Sequence, residues 1–291
     1  MTGSPKTGTK EEAMSRPLIL AEQFTDLFVA DALREHREDR EALLASLTAS
    51  WQSDTRIRAA LLWGSFGRGE ADDLSDLDPW LIVVDDAAAE MGPSLRQYAE
   101  QTGNLITGKN TPQHAPPGGG YMSFLHEGRH GLLQADCYWQ PQSSALPDAE
   151  YAVLFDRQAE AYAGQEYPTR DYPEAATGLE AEVAHGFHFT WFMFSITAKY
   201  LARHPDSDMG LMFYPKPGLE GVAEWLGQAE LLTPEDWAVP ETPLEKVDRL
   251  RHLVSKTEQL RLIANAEGCT FSPLYTSCLF RYLDMVEGIL R

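Results

Sequence analysis

The stretch LLWGSFGRGEADDLSDLDPWLIVV, Leu61 to Val84, decides how this chain is read. Two apolar runs flank a polar segment that opens on Gly64-Ser65 and closes on Ser75-Asp76-Leu77-Asp78. Arg58–Trp63 reads as a short buried strand ending at Gly64, and Leu77–Val84 as a second strand. Two acids thus stand at the entrance of a buried run. A charge there is costly unless an opposite charge, a donor or a metal pairs with it. Residues i and i+2 of a strand share a face, so Asp76 and Asp78 project together with Leu77 opposite. Adjacent carboxylates repel, and one would keep its proton. A divalent cation removes the conflict. Magnesium prefers oxygen ligands, often one or two carboxylates plus substrate phosphates. Enzymes that displace at phosphorus place two such ions about 3.5–4 Å apart.

Gly64 and Ser65 sit at the strand end, at the start of a short helical turn. Backbone N–H groups in that position receive phosphate oxygens, glycine permits close approach, and the serine hydroxyl adds a donor. A triphosphate cradle and metal-binding acids therefore fall within fifteen residues. A third acid would bridge metals or take a proton. Asp136 is the candidate, because it interrupts LLQADCYW, a strand in which a charge has no packing reason. Pro79 removes a backbone donor directly after the second acid and leaves the local sheet pairing open. Glu70, Asp72 and Asp73 read as surface or turn acids. Arg68 is a loop arginine facing either phosphate or water.

The 291 residues fit about two domains. A net charge of −20 repels phosphate backbones, which argues against nucleic acid; it would attract cationic small molecules, though by itself it reads first as an aid to solubility. Cys137, Cys269 and Cys278 are odd in number and lack CxxC spacing, as expected of unpaired thiols in a reducing cytoplasm. Residues 1–19 read as a disordered tail without the apolar centre of a signal peptide. The most apolar run, Phe187–Ile196, is far shorter than the roughly 20 residues of a membrane span. No membrane partner is expected.

Residues 20–50 and Ala87–Thr102 read as helices. Gly108–Tyr121, dense in Gly and Pro, reads as a loop. Tyr121–His126 and Leu132–Trp139 read as strands joined by EGRHG, and Ala152–Asp156 as a further strand. Gly164–Gly178 reads as a linker. Beyond it the periodicity is helical: Glu180–Arg203, buried in its middle, then Leu244–Ala266 and Leu274–Leu290. The expected class is α+β, with a sheet domain over 20–165 followed by an all-helical domain over 175–291. On the long helix, Lys199 reads as a lysine that snorkels at a helix end. His185 and His188 share a face and read as hydrogen-bonded histidines of the cleft or core. Glu182 reads as a solvated first-turn acid, with a cationic substrate as its alternative partner. Trp191, Phe192 and Phe194 read as core.

GSFGRGEADDLSDLD resembles the signature of the DNA polymerase beta-like nucleotidyltransferase superfamily, a Gly-Ser pair followed after a short loop by Asp-x-Asp. Arg68-Gly69 falls where antibiotic nucleotidyltransferases carry Arg/Lys-Gly. The later hairpin with Asp136 and the helical C-terminal half are similar to the aminoglycoside and lincosamide types, the lincosamide type most. The resemblance implies a mixed sheet flanked by helices plus a helical substrate and dimerisation domain. It implies Mg2+, two ions, and ATP or another nucleoside triphosphate. Asp76, Asp78 and Asp136 would bind metal, with Asp136 as general base, metal ligand or both. Gly64 and Ser65 would hold the triphosphate, helped by Arg68 and Lys199. The reaction implied moves a nucleoside monophosphate to a small-molecule hydroxyl, the acceptor being antibiotic-like. A homodimer is in keeping with the lincosamide type. Protein or RNA nucleotidylation and a catalytically silent nucleotide-binding module are the competing readings.

Overall fold

A computed structural model describes residues 17–144, 150–157, 179–206 and 215–291, with the side chains of residues 179–182 left aside. The class is the expected α+β. Helix α1 (Leu27–Ser53) leads into β1 (Ile57–Leu62), the four-residue α2 (Gly64–Gly67) and β2 (Pro79–Val83). Then come α3 (Met91–Gln101), β3 (Leu105–Asn110), β4 (Gly120–Gly128), β5 (Gly131–Pro141) and β6 (Ala152–Asp156). Helices α4 (Leu179–Arg203), α5 (Lys216–Trp225), α6 (Pro243–Ala266) and α7 (Leu274–Leu290) complete the chain. The six strands form one mixed sheet in the order β3-β4-β5-β2-β1-β6. The β2–β5 pair is parallel and its neighbours are antiparallel.

Several boundaries move for local reasons. Helix α1 starts at Leu27 rather than residue 20, because Asp26 accepts from the N–H groups of Phe28 and Val29 and caps it. The expected helix over 87–102 opens as a 3-10 turn, Asp85–Glu90, before α3 begins. Part of the expected Gly108–Tyr121 loop is edge strand: Gly108, Lys109 and Asn110 pair with Phe124, Ser123 and Met122. An edge strand buried on neither side carries little apolar signal. Pro79 is the first residue of β2, opposite Leu62, where the missing donor costs least. Helix α5 was not legible: its glycines weaken the helical pattern. Gly218 is there for close packing, since a Cβ would lie 2.6 Å from Thr190 Oγ1 on α4. The expected linker at Gly164–Gly178 lies outside the described residues.

Alternation along β5 explains how the sheet places its polar groups. Leu133, Ala135, Cys137 and Trp139 pack into a core with Leu43, Leu47 and Trp51 of α1 and Met91 and Leu95 of α3. The opposite face starts at Leu132, which with Leu125 joins the core of the C-terminal helices. It continues through Gln134 and Asp136 to Tyr138. The apolar end of this face is thus covered by helices, and its polar middle lies at the margin of that cover.

Candidate active site

One register row crosses five elements of the sheet. Lys109 pairs with Ser123, and Ser123 with Asp136. The Leu77–Ala135 bridge and the Trp80–Tyr138 pair place Asp78 opposite Asp136. Trp63 donates its N–H to the Asp78 carbonyl at 2.9 Å. Directly opposed residues share a face, so Trp63, Asp78, Asp136, Ser123 and Lys109 stand in a line. Asp76 lies two residues before Asp78, and the intervening Leu77 is buried in the opposite core. The two acids therefore share a face as the sequence spacing required.

Each acid is held. Tyr121 Oη donates to Asp136 Oδ1 at 2.8 Å, and Gln134 Nε2 to Asp136 Oδ2 at 2.7 Å. Lys199 Nζ lies 2.6 Å from Asp76 Oδ2. Burial, and then the neighbouring Asp76 and Asp136 charges, push Asp78 up to about 8. Burial and Asp76 push Asp136 up to about 7, against hydrogen bonds that favour its ionised form. Burial works against the Lys199 ammonium, but the Asp76 contact outweighs it and the net shift is upward. The site thus holds more negative charge than its one buried lysine balances.

At the β1 end of the row, Gly64 adopts φ +64, and a Cβ there would meet Asp78 Oδ2 at 2.0 Å. Only glycine fits. Ser65 is buried, and its Oγ has no hydrogen-bond partner among the described residues. An orphaned hydroxyl at a helix start matches a phosphate oxygen. Arg68 is exposed and pairs with Glu70 at 2.8 Å, though its charge still lowers Asp78 slightly. Beyond the acids the same face carries a run of rings: Trp63 on Trp80 at 4.2 Å, Trp80 on Tyr138 at 4.8 Å, Tyr138 beside Tyr121 at 4.8 Å.

The donor set fits a hard divalent cation in chemical type: carboxylate oxygens with surplus negative charge. Among the described residues no three His, Cys, Asp or Glu side chains stand close enough to cage an ion as they are. Lys199 and Gln134 occupy the oxygens instead.

Two assignments are corrected. Asp72 and Asp73 are not surface acids; their exposures are 2% and 1%. Arg203 Nε donates to Asp72 Oδ2 at 2.8 Å and Nη2 to Oδ1 at 2.5 Å, both side chains being fully buried. Asp72 also accepts from the Leu74 N–H and Ser75 Oγ. Asp73 accepts from the Ala21 N–H and from Arg37. Arg40 donates to the carbonyls of Asp72 and Ser75. This buried loop aims Asp76. The available signal was Asp72-x-x-Ser75, a side-chain turn spacing, and Arg203 one helical turn after Lys199.

His188 Nε2 meets Ser123 Oγ at 2.8 Å, and His185 Nε2 meets Lys109 Nζ at 3.0 Å. Both histidines are hydrogen-bonded, as expected, His188 buried and His185 exposed. Trp191 and Phe194 are core, with Phe192 packed against it. The Glu182 side chain lies outside the described residues. None of the three cysteines forms a disulfide. Among the described residues no helix is long and apolar enough to cross a membrane. A cavity of about 520 Å³ lies away from the acids, at the turn end of β4 and β5. Its arginines are already paired, Arg129 with Asp39 and Arg281 with Glu127.

No protein-family model matches the chain, and no curated protein matches it in sequence. Among solved structures it is similar to the STING-associated CdnE c-di-GMP synthase from Capnocytophaga granulosa. The identity is 13%, the TM-score 0.27, with 90% of this chain and 84% of that chain covered. It is also similar to the Elizabethkingia meningoseptica CdnE cyclic dinucleotide synthase with GTP and Apcpp. There the identity is 11% and the TM-score 0.26, over 95% of this chain and 93% of that one. Scores this low carry no argument about activity, which rests on the residues of the row.

Proposed function

We propose that the protein is a Mg2+-dependent nucleotidyltransferase that moves a nucleoside monophosphate, AMP from ATP in the first instance, to a hydroxyl of a small molecule. The observation that carries the reading is the alignment of Asp76, Asp78 and Asp136 on one sheet face beside the orphaned Ser65 hydroxyl. Gly64 and Ser65 would receive triphosphate oxygens. Asp76, Asp78 and Asp136 would hold Mg2+, which supplies charge neutralisation of the phosphates when bound. Lys199, which sits beside Asp76, would pair with phosphate.

Asp136 takes the acceptor's hydroxyl proton. A positioned carboxylate in that role contributes about 10²–10⁴-fold in rate. The acceptor oxygen bonds to the α-phosphorus as the α–β phosphoanhydride breaks, and pyrophosphate leaves. Tyr121 and Gln134 fix the Asp136 oxygens for this, and alignment with electrostatics supplies most of the rate. The test is pyrophosphate release from ATP and Mg2+, with mass spectrometry of pooled acceptors. One acceptor should gain one nucleotidyl mass, lost in Asp76→Asn. Full release by Asp76→Asn would sink the reading.

A further inference from the structure

Lys109 stands at the β3 end of the row, at the opposite limit from Gly64 and Ser65. It is half-buried, and among the described residues no carboxylate meets it; its contact is His185 Nε2 at 3.0 Å. Burial alone pushes it down to about 8, with no acid among the causes. Three other screened cations each meet a carboxylate: Lys199 meets Asp76, Arg203 meets Asp72 and Lys256 meets Asp236. A half-buried lysine that meets no carboxylate among the described residues marks a local reversal of the chain's net charge of −20. His185 must offer its Nε2 lone pair to the ammonium, which puts its proton on Nδ1 and makes that nitrogen a second donor. Beside them His188, 5% exposed, has an Nδ1 without a partner among the described residues.

Position gives this cluster its meaning. Across the sheet the order is Gly64-Ser65 after β1, Asp78 at β2, Asp136 on β5, Ser123 on β4 and Lys109 on β3. Donor phosphates belong to the first end and the reacting hydroxyl to Asp136. Lys109 lies two strands beyond, roughly 10 Å between backbones at the usual strand spacing. We propose that Lys109 and His185 form an anion subsite for the acceptor, which is therefore an alcohol that also carries a phosphate or carboxylate. This rests on the transfer reaction proposed above. It replaces the cationic acceptor that the net charge suggested, because bulk charge does not describe a site whose lysine meets no carboxylate among the described residues.

The test uses the full-length protein with ATP and Mg2+. Acceptors are offered in matched pairs, an alcohol with and without a phosphate or carboxylate, with cationic aminoglycosides as a third arm. The anionic member should be favoured in kcat/KM by about 10- to 100-fold, the worth of a hydrogen bond to a charged group. That ratio should collapse in Lys109→Gln and return in Lys109→Arg, while the Kd for ATP holds. Equal use of both members, a preference that survives Lys109→Gln, or better use of aminoglycosides would each overturn the proposal. A second arm needs no turnover. Inorganic phosphate is titrated by calorimetry into protein saturated with Mg2+ and a non-hydrolysable ATP analogue. Binding should weaken at least about tenfold in Lys109→Gln, and unchanged binding overturns the subsite. If Asp76→Asn keeps full pyrophosphate release, the transferase reading falls by itself, and the phosphate titration still decides whether Lys109 holds an anion.

Discussion

Replacing Asp78 with Asn should stabilise the metal-free protein while abolishing transfer. Asp78 is pushed from 3.8 up to about 8 by burial and by the charges of Asp76 and Asp136. Its carboxyl therefore prefers to be protonated in the folded state and ionised in the unfolded state at pH 7. A carboxyl with a raised folded pKa lowers stability as pH climbs from 3.8 toward 8. One unit is worth about 1.4 kcal/mol, so roughly three units at pH 7 amount to about 4 kcal/mol. Solvent reaches part of the side chain and screens it, which brings the expected gain for Asp78→Asn to about 2 kcal/mol. The gain should be less than half as large at pH 5. Urea unfolding followed by circular dichroism in EDTA at both pH values measures it. Millimolar Mg2+ should raise the wild-type midpoint more than that of the variant. A variant less stable than wild type at pH 7, or a gain independent of pH, would refute the reasoning that crowded negative charge limits this site.

Gly64→Ala should remove nearly all pyrophosphate release with ATP, because the new Cβ meets Asp78 Oδ2 at 2.0 Å and the backbone stays at φ +64; retained activity would mean that the turn and Asp78 are not locked together. Arg203→Met should cost about 3–5 kcal/mol, since it leaves the buried Asp72 carboxylate with neutral donors in place of the guanidinium; an equilibrium unfolding shift under about 1 kcal/mol would contradict that. His126, fully buried, is lowered by burial from 6.5 to about 4. A histidine buried neutral lends stability that is present above pH 6.5 and is lost as pH falls toward 4. The stability difference between wild type and His126→Gln should therefore narrow by about 1–2 kcal/mol from pH 7.5 to pH 5 in urea titrations.

What could be read from the chain alone follows from the range of the interactions involved. The acids at 76 and 78 were legible because their shared face depends only on the two-residue strand period. Asp136 was legible because a charge inside LLQADCYW conflicts with every neighbour. Lys199 was left between phosphate and solvent, and only the fold brings it to Asp76, 123 residues away. Asp72 was misread for the same reason in stronger form: its partner Arg203 is 131 residues on, and nothing near DDL announces it. Lys109 passed unnoticed in a Gly- and Pro-rich stretch, since its position in the row depends on an edge pairing with β4.

The two cations that α4 sends into the sheet half form a spacing gauge. Lys199 and Arg203 are one helical turn apart, and their partners, Asp76 and Asp72, are four residues apart on the loop. A slide of α4 by one turn, about 5.4 Å, would bring Arg203 toward Asp76 and take it from Asp72 in a dry core. Half-steps satisfy neither pair. The two pairs therefore fix the register of α4 against the acids. Grafting a foreign helical half onto this sheet would need the same two-tooth spacing before any acceptor could be presented to Asp136.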